Sequence, residues 1–294
     1  MKIKTLFFIF IMTTSIAYGQ DNEAFRYNKT DIVLYNVGIG AIFGGIGALV
    51  NKKESEDWHK VLFKGISQGA LGGYVVYESK NLLRQINRQQ DLTYALYAKG
   101  VNSIGVSMIE NASMNRNFWE VWHINFGFNR FELHTKENFR FQYKFMPVSF
   151  LINSYLFTQL DFRLRETLQT GEFVFRGNTI DEFGSNGSLF GNAIIYDSSL
   201  QDSSIFPTLI NHELVHLYQY NDFNPINSIF NQPIQELNSN SSFLKKVNPY
   251  VYYDFQHFFY LSVYNLEINN ANAYHNNFFE FEAYYFSDDL ERFR

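Results

Sequence analysis

Residues 208–220 read TLINHELVHLYQY. The core is His212-Glu213-Leu214-Val215-His216, an HExxH motif, set among apolar Leu209, Ile210, Leu214, Val215 and Leu217. Pro207 falls where a first helical turn tolerates proline, and Ser203 or Ser204 offers a cap, so the segment reads as a helix. Residues four apart on a helix share a side, so the two imidazoles can reach one ion. Glu213 lies about 100° round from His212 and can touch water beside that ion without ligating it. Zinc acidifies such a water and the carboxylate takes its proton. These residues therefore point to metal-assisted hydrolysis, with His212 and His216 as ligands and Glu213 as general base. The bland alternative is two histidines on a buried helix face beside a surface glutamate.

A catalytic zinc wants a third protein ligand and an open position. Downstream, residues 276–287 read NNFFEFEAYYFS, a helical stretch in which Glu280 and Ala283 give E-x-x-A. Glu280 is one candidate ligand. Glu282, two residues on and about 200° round, is another, and both cannot face the same point. His275 and His257 are further alternatives. Tyr274 and His275 precede the helix and could steady an oxyanion, or could simply pack.

HELVHLYQ is similar to the HExxHxxQ helix of many bacterial zinc-peptidase-like proteins, and FEFEAYY resembles their E-x-x-A helix, also seen in the CAAX prenyl-protease family. The chain thus resembles zincin-fold metallopeptidases of the gluzincin kind. That resemblance covers about the last hundred residues. It implies His212, His216 and Glu280 as zinc ligands, Glu213 as base, and a peptide or protein substrate. It further implies that the strand before the active helix, Asn192–Asp197 here, holds an extended peptide. Tyr284 stands where the prenyl-protease pattern has an aspartate, and Gln219 where metzincins have a glycine.

Upstream, Phe183 to Gly191 is rich in Gly, Ser and Asn and reads as a loop. From about Glu120 the period changes to two, and Phe173 and Phe175 continue it. Ile124 and Phe126 alternate with His123 and Asn125, and Phe139, Phe141, Tyr143 and Phe145 with Arg140, Gln142 and Lys144. These are antiparallel strands with polar residues on one face. Asn81 to Ala112 is helical, with a new start at Asp91. Tyr250 to Leu266 and Asn277 to Leu290 are helical as well.

Asp31 to Val50 reads DIVLYNVGIGAIFGGIGALV, apolar except for Asp31 and Asn36, with Gly40 and Gly44 on one face. Val61 to Tyr77 repeats the spacing with Gly65, Gly69 and Gly73. Small residues every four positions let helix backbones approach closely. Residues 31–77 form either a membrane-associated hairpin or a soluble, tightly packed pair. Lys2 and Lys4, an apolar run from Leu6 to Met12, and Ala17 and Gly19 before Gln20 have the layout of a secretory signal peptide, residues 1–19.

Composition narrows the chemistry. The 294 residues are 46% hydrophobic and 18% charged, a globular balance. A net charge of -5 without a basic block excludes a nucleic-acid surface. With no cysteine, a transition metal must be held by His and carboxylate.

The expectation is an α+β protein: a glycine-rich helical segment over 20–90 and a zincin-like domain over 91–294. The latter carries an antiparallel aromatic sheet and C-terminal helices with HExxH. The function expected is that of an exported zinc metallopeptidase, periplasmic or extracellular, with membrane association through residues 31–77 left open. The rival is a non-catalytic envelope binding protein that keeps HExxH only as scaffold.

Overall fold

A computed structural model describes residues 27–177, 186–270 and 277–289. Residues 1–19, read above as a signal peptide, and Tyr274 and His275 lie outside the described residues. Three long helices open the fold: α1 (Lys29–Val50), α2 (Trp58–Gln89) and α3 (Tyr94–Ser113). Asn28 starts α1 with a capping box, its side chain accepting from Thr30 N while its own N–H reaches Asp31. Gln90, left-handed at φ 53°, ends α2, and Asp91 accepts from Thr93 to start the next helix. The new start at Asp91 is therefore present, and α2 is continuous through both stretches that flank Tyr77.

The glycines face one another. A methyl group at Gly40 would sit on the Gly69 carbonyl oxygen, and one at Gly44 on that of Gly65. Only hydrogen fits between these backbones. On its other side α2 meets α3 through Gly72 and Gly105. Among described helices α1 is long and apolar enough to cross a membrane, and 39% of its most apolar window is buried inside the protein.

A three-stranded antiparallel sheet follows, in the order β1 (Val121–Phe126), β2 (Asn129–His134), β3 (Arg140–Phe145). Its alternation is as expected, but the face turned inward is the polar one. His123, Arg130 and Glu132 are buried, whereas Phe141 is 67% exposed. After α4 (Pro147–Gln159), β4 (Asp161–Phe162) and α5 (Leu164–Thr170) come β5 (Phe173–Gly177), β6 (Gly187–Phe190) and β7 (Ala193–Asp197). They form a second sheet in the order β4-β5-β7-β6. This sheet is mixed, because β5 and β7 run parallel. The segment read as a loop before Gly191 thus contains a strand. Its Gly and Ser side chains are poor strand formers, and pairing with β7 supplies what propensity lacks.

The remainder is helical: α6 (Phe206–Asp222), α7 (Ile226–Ile229), α8 (Asn231–Ser239), α9 (Ser242–Val247), α10 (Gln256–Asn270) and α11 (Phe278–Phe286). Helix α6 carries HExxH and has Pro207 in its first turn. No serine side chain caps it. Ile205 is the cap residue, and the Ser203 hydroxyl instead donates to Leu200 O in the preceding turn. One face of α6, with Ile210, Leu214, Val215 and Leu217, enters the main core beside Val174, Ile194 and Tyr196 of the second sheet and Ala283 and Phe286 of α11. The fold is a mixed α+β arrangement in which α6 is held between this sheet, α2 and α11.

Candidate metal centre

The helical period of α6 carries its functional side chains to the face opposite the core. His212 Nε2 and His216 Nε2 lie 3.0 Å apart. Helix α11 brings Glu280 to the same point, with Oε2 3.3 Å from His212 Nε2 and Oε1 3.4 Å from His216 Nε2. Asn277 makes this possible by capping α11, accepting from Phe279 N at 2.8 Å. Three ligand atoms held at a zinc bond length in a tetrahedron would stand roughly 3.3 Å apart. The separations of 3.0, 3.3 and 3.4 Å, the last two to different oxygens of Glu280, are of that order, and the donors, two imidazoles and one carboxylate, are those zinc takes. The residues fit the metal.

Electrostatics agree with the geometry. Burial opposes charge on His216, but the Glu280 carboxylate raises its pKa to about 9. Burial likewise pushes Glu280 up, and His216 and His212 outweigh it, holding that carboxyl well below its usual range. The triangle therefore favours positive charge at its centre. Glu213 is buried beside it, and burial raises its pKa against the pull of His212 and His216. A carboxylate so raised suits a general base.

Glu282, the alternative ligand, points elsewhere. Its Oε2 accepts from Gln219 Nε2 at 2.8 Å, and its carboxylate takes Lys80 Nζ at 3.1 Å. Lys80 also donates to Asp222 at 2.8 Å and to Asn36 Oδ1 at 2.9 Å. Gln219 closes the path back to the site, its Oε1 lying 2.8 Å from His216 Nδ1. That contact makes Nδ1 the donor, so Nε2 is the nitrogen that would face an ion once its own proton is displaced. Tyr264 of α10 donates to Glu280 Oε1, and the Tyr284 ring stands edge-on to His212 with centroids 4.5 Å apart. His257 packs against Tyr220 and Phe258, not in the triangle.

Reasoning from the sequence missed Gln219, Lys80, Asp222 and Tyr264 as parts of this site. One signal was available: Asn36 is a lone amide within an apolar helix, and such a group demands a buried partner. The strand expected to hold an extended peptide, β7, is hydrogen-bonded on both sides. Within the described sheet the edge strand on that side is β6. A Cβ at its Gly187 would lie 2.8 Å from Glu213 Oε1, so this edge runs directly past the candidate base.

Comparison with protein-family models, with curated proteins and with solved structures gives no match.

Proposed function

We propose that the chain is a zinc-dependent hydrolase, a metallopeptidase of the gluzincin kind acting on peptide or protein substrates outside the cytoplasm. The observation that supports this most is the convergence of His212, His216 and Glu280 on one point, with Glu213 beside it. His212, His216 and Glu280 would hold the ion, which when bound polarises a carbonyl and acidifies water.

The chain's own residues do the rest. An extended substrate lies along the outer edge of β6, pairing by main-chain hydrogen bonds. This places its scissile carbonyl over the face of α6 that carries Glu213. Glu213 removes a proton from the attacking water as the new C–O bond forms at the carbonyl carbon. The same carboxyl then delivers that proton to the amide nitrogen as the C–N bond breaks. Tyr264 fixes Glu280, and Gln219 fixes His216, so neither side chain must reorganise during turnover.

Glu213→Gln tests the reading. It keeps shape but cannot take a proton. Zinc content by elemental analysis should stay at one per chain while peptide hydrolysis falls by roughly 10²-fold or more. Zinc-loaded wild type containing no bound metal would overturn the reading. Bound zinc without turnover of any peptide or ester would leave a structural metal as the better account.

A further inference from the structure

Away from the metal centre, the end of α3 shapes a second site. Asn115, left-handed at φ 55°, closes the helix, and Arg116 N donates back to Asn111 O at 2.8 Å. This Schellman-type turn fixes where the Arg116 side chain leaves the backbone. Beside it, between the inner face of the first sheet and the segment around Tyr252, lies a cavity of about 190 Å³. That is more than ten times the roughly 10–15 Å³ one water needs by the same measure. Neither His212, Glu213, His216 nor Glu280 lines it.

The charges on its wall do not balance. Glu110 and Glu132 face Arg116, Arg130 and Lys144, three cations against two carboxylates. Both carboxylates are taken. Arg130 places its two terminal nitrogens on Glu110, at 3.2 and 2.6 Å, and its Nε on Glu132 at 2.7 Å. Lys144 Nζ lies 3.0 Å from the other Glu132 oxygen, and Tyr252 donates its hydroxyl to Glu110 at 3.0 Å. Arg130 is in turn covered by the Tyr252 ring, 3.9 Å from the guanidinium carbon. Arg116 has no hydrogen-bond or ion-pair partner for its guanidinium among the described residues. The surplus positive charge is therefore carried on a planar fork of donors at the cavity wall. Met114, Val121 and Ile234 line the same space and give it an apolar side.

We propose that this cavity binds a small organic carboxylate, gripped in-plane by Arg116 with its apolar part against Met114, Val121 and Ile234. A guanidinium matches a carboxylate through two parallel N–H···O bonds, and one negative charge brings the wall to neutrality. The carboxylate belongs either to a free acid or to the C-terminus of a peptide.

Calorimetric titration of the full chain distinguishes these. Benzoate stands for the free acid and N-acetylphenylalanine for a peptide C-terminus. Benzamide, N-acetylphenylalanine amide and inorganic phosphate are the controls. At least one carboxylate should bind at millimolar concentration and raise Tm, while its amide does neither. N-acetylphenylalanine binding without benzoate assigns the site to a peptide terminus, and benzoate binding alone assigns it to a free acid. Arg116→Gln should weaken binding at least tenfold and leave the Tm of the ligand-free protein unchanged, since Arg116 completes no internal pair. Should that variant fold poorly, Arg116→Lys keeps the charge but not the fork and should also weaken binding. No carboxylate binding, equal binding of acid and amide, binding of phosphate alone, or unchanged affinity in a folded Arg116 variant would each overturn the proposal.

Discussion

The Arg130 cluster and the His212–His216–Glu280 cluster are both buried and polar, and they are completed differently. In the first, the chain supplies its own cation: Arg130 sits between Glu110 and Glu132 and reaches both. Lys80 does the same between Asp222 and Glu282. In the second, two imidazole Nε2 atoms and a carboxylate converge on one point from separate helices. Groups that offer electron pairs to a common centre define a place for an ion from solution. Glu280 and Glu282 stand two residues apart on α11, and the helical turn between them sends one to each kind of cluster. Folding alone completes an ion network of the Arg130 or Lys80 type. On the proposed reading, a metal completes the other.

The widest separation is expected in zinc affinity. His212→Ala or His216→Ala should lower it by roughly 10²–10³-fold, from about 3–4 kcal/mol per ligand in a four-ligand site. Arg130→Met should leave it unchanged. Competition with a chromogenic chelator reads both, and equal losses would erase the distinction between the clusters. Next comes stability. Lys80→Met leaves Asp222 and Glu282 buried without their cation and should cost about 3–5 kcal/mol in urea unfolding. A loss under about 1 kcal/mol would mean that the network is not closed in the way described.

The Arg130 cluster also has a pH signature. His123 packs beside it, and burial together with the Arg130 charge lowers its pKa to about 4. Its folded pKa lies below the unfolded value near 6.5, so the unfolded chain binds the proton more tightly. The stability from neutral His123 is full above about pH 6.5 and is lost as pH falls toward 4, about 3 kcal/mol in all. Unfolding free energies of His123→Gln should show a flatter slope across that window than wild type. An identical slope would remove His123 from the account. The smallest effect sharpens the boundary between the clusters. Gln219→Leu should reduce zinc affinity 10- to 100-fold through loss of the His216 Nδ1 acceptor. No change in affinity would show that the Lys80 network does not reach the metal centre.

Much of the site could be read in one dimension, because HExxH fixes its geometry by helical period alone. The choice between Glu280 and Glu282 could not. It depends on which side of α11 meets α6, and that follows from Phe278, Ala283 and Phe286 finding the core. Gly40, Gly44, Gly65 and Gly69 announced a close helix contact through their spacing. Lys80 gave no such signal, since its partners Asp222 and Glu282 are 142 and 202 residues away. Alternation located β1–β3 but not their covered face, because period two is the same whichever side is buried. Here the cations and carboxylates that meet across the inner face make the polar side the buried one. Strand β6 was hidden because Gly187 and Ser188 look like a loop until β7 is beside them.

Where Gly40 and Gly44 meet Gly65, Gly69 and Gly73, the contact between α1 and α2 is made of backbone, and a joint without side chains has no rotamers with which to adjust. Most packed surfaces absorb small errors by turning a leucine or shifting a methionine; this one can only fit or fail. The helical rise of about 1.5 Å per residue then sets the distance from the joint at Gly69 and Gly73 to Lys80, and from Gly40 to Asn36. Those two residues arrive together at the back of Gln219 as parts of one stiff frame. The orientation of the His216 ring is thus inherited, through three hydrogen-bonded side chains, from the tolerance of a glycine seam.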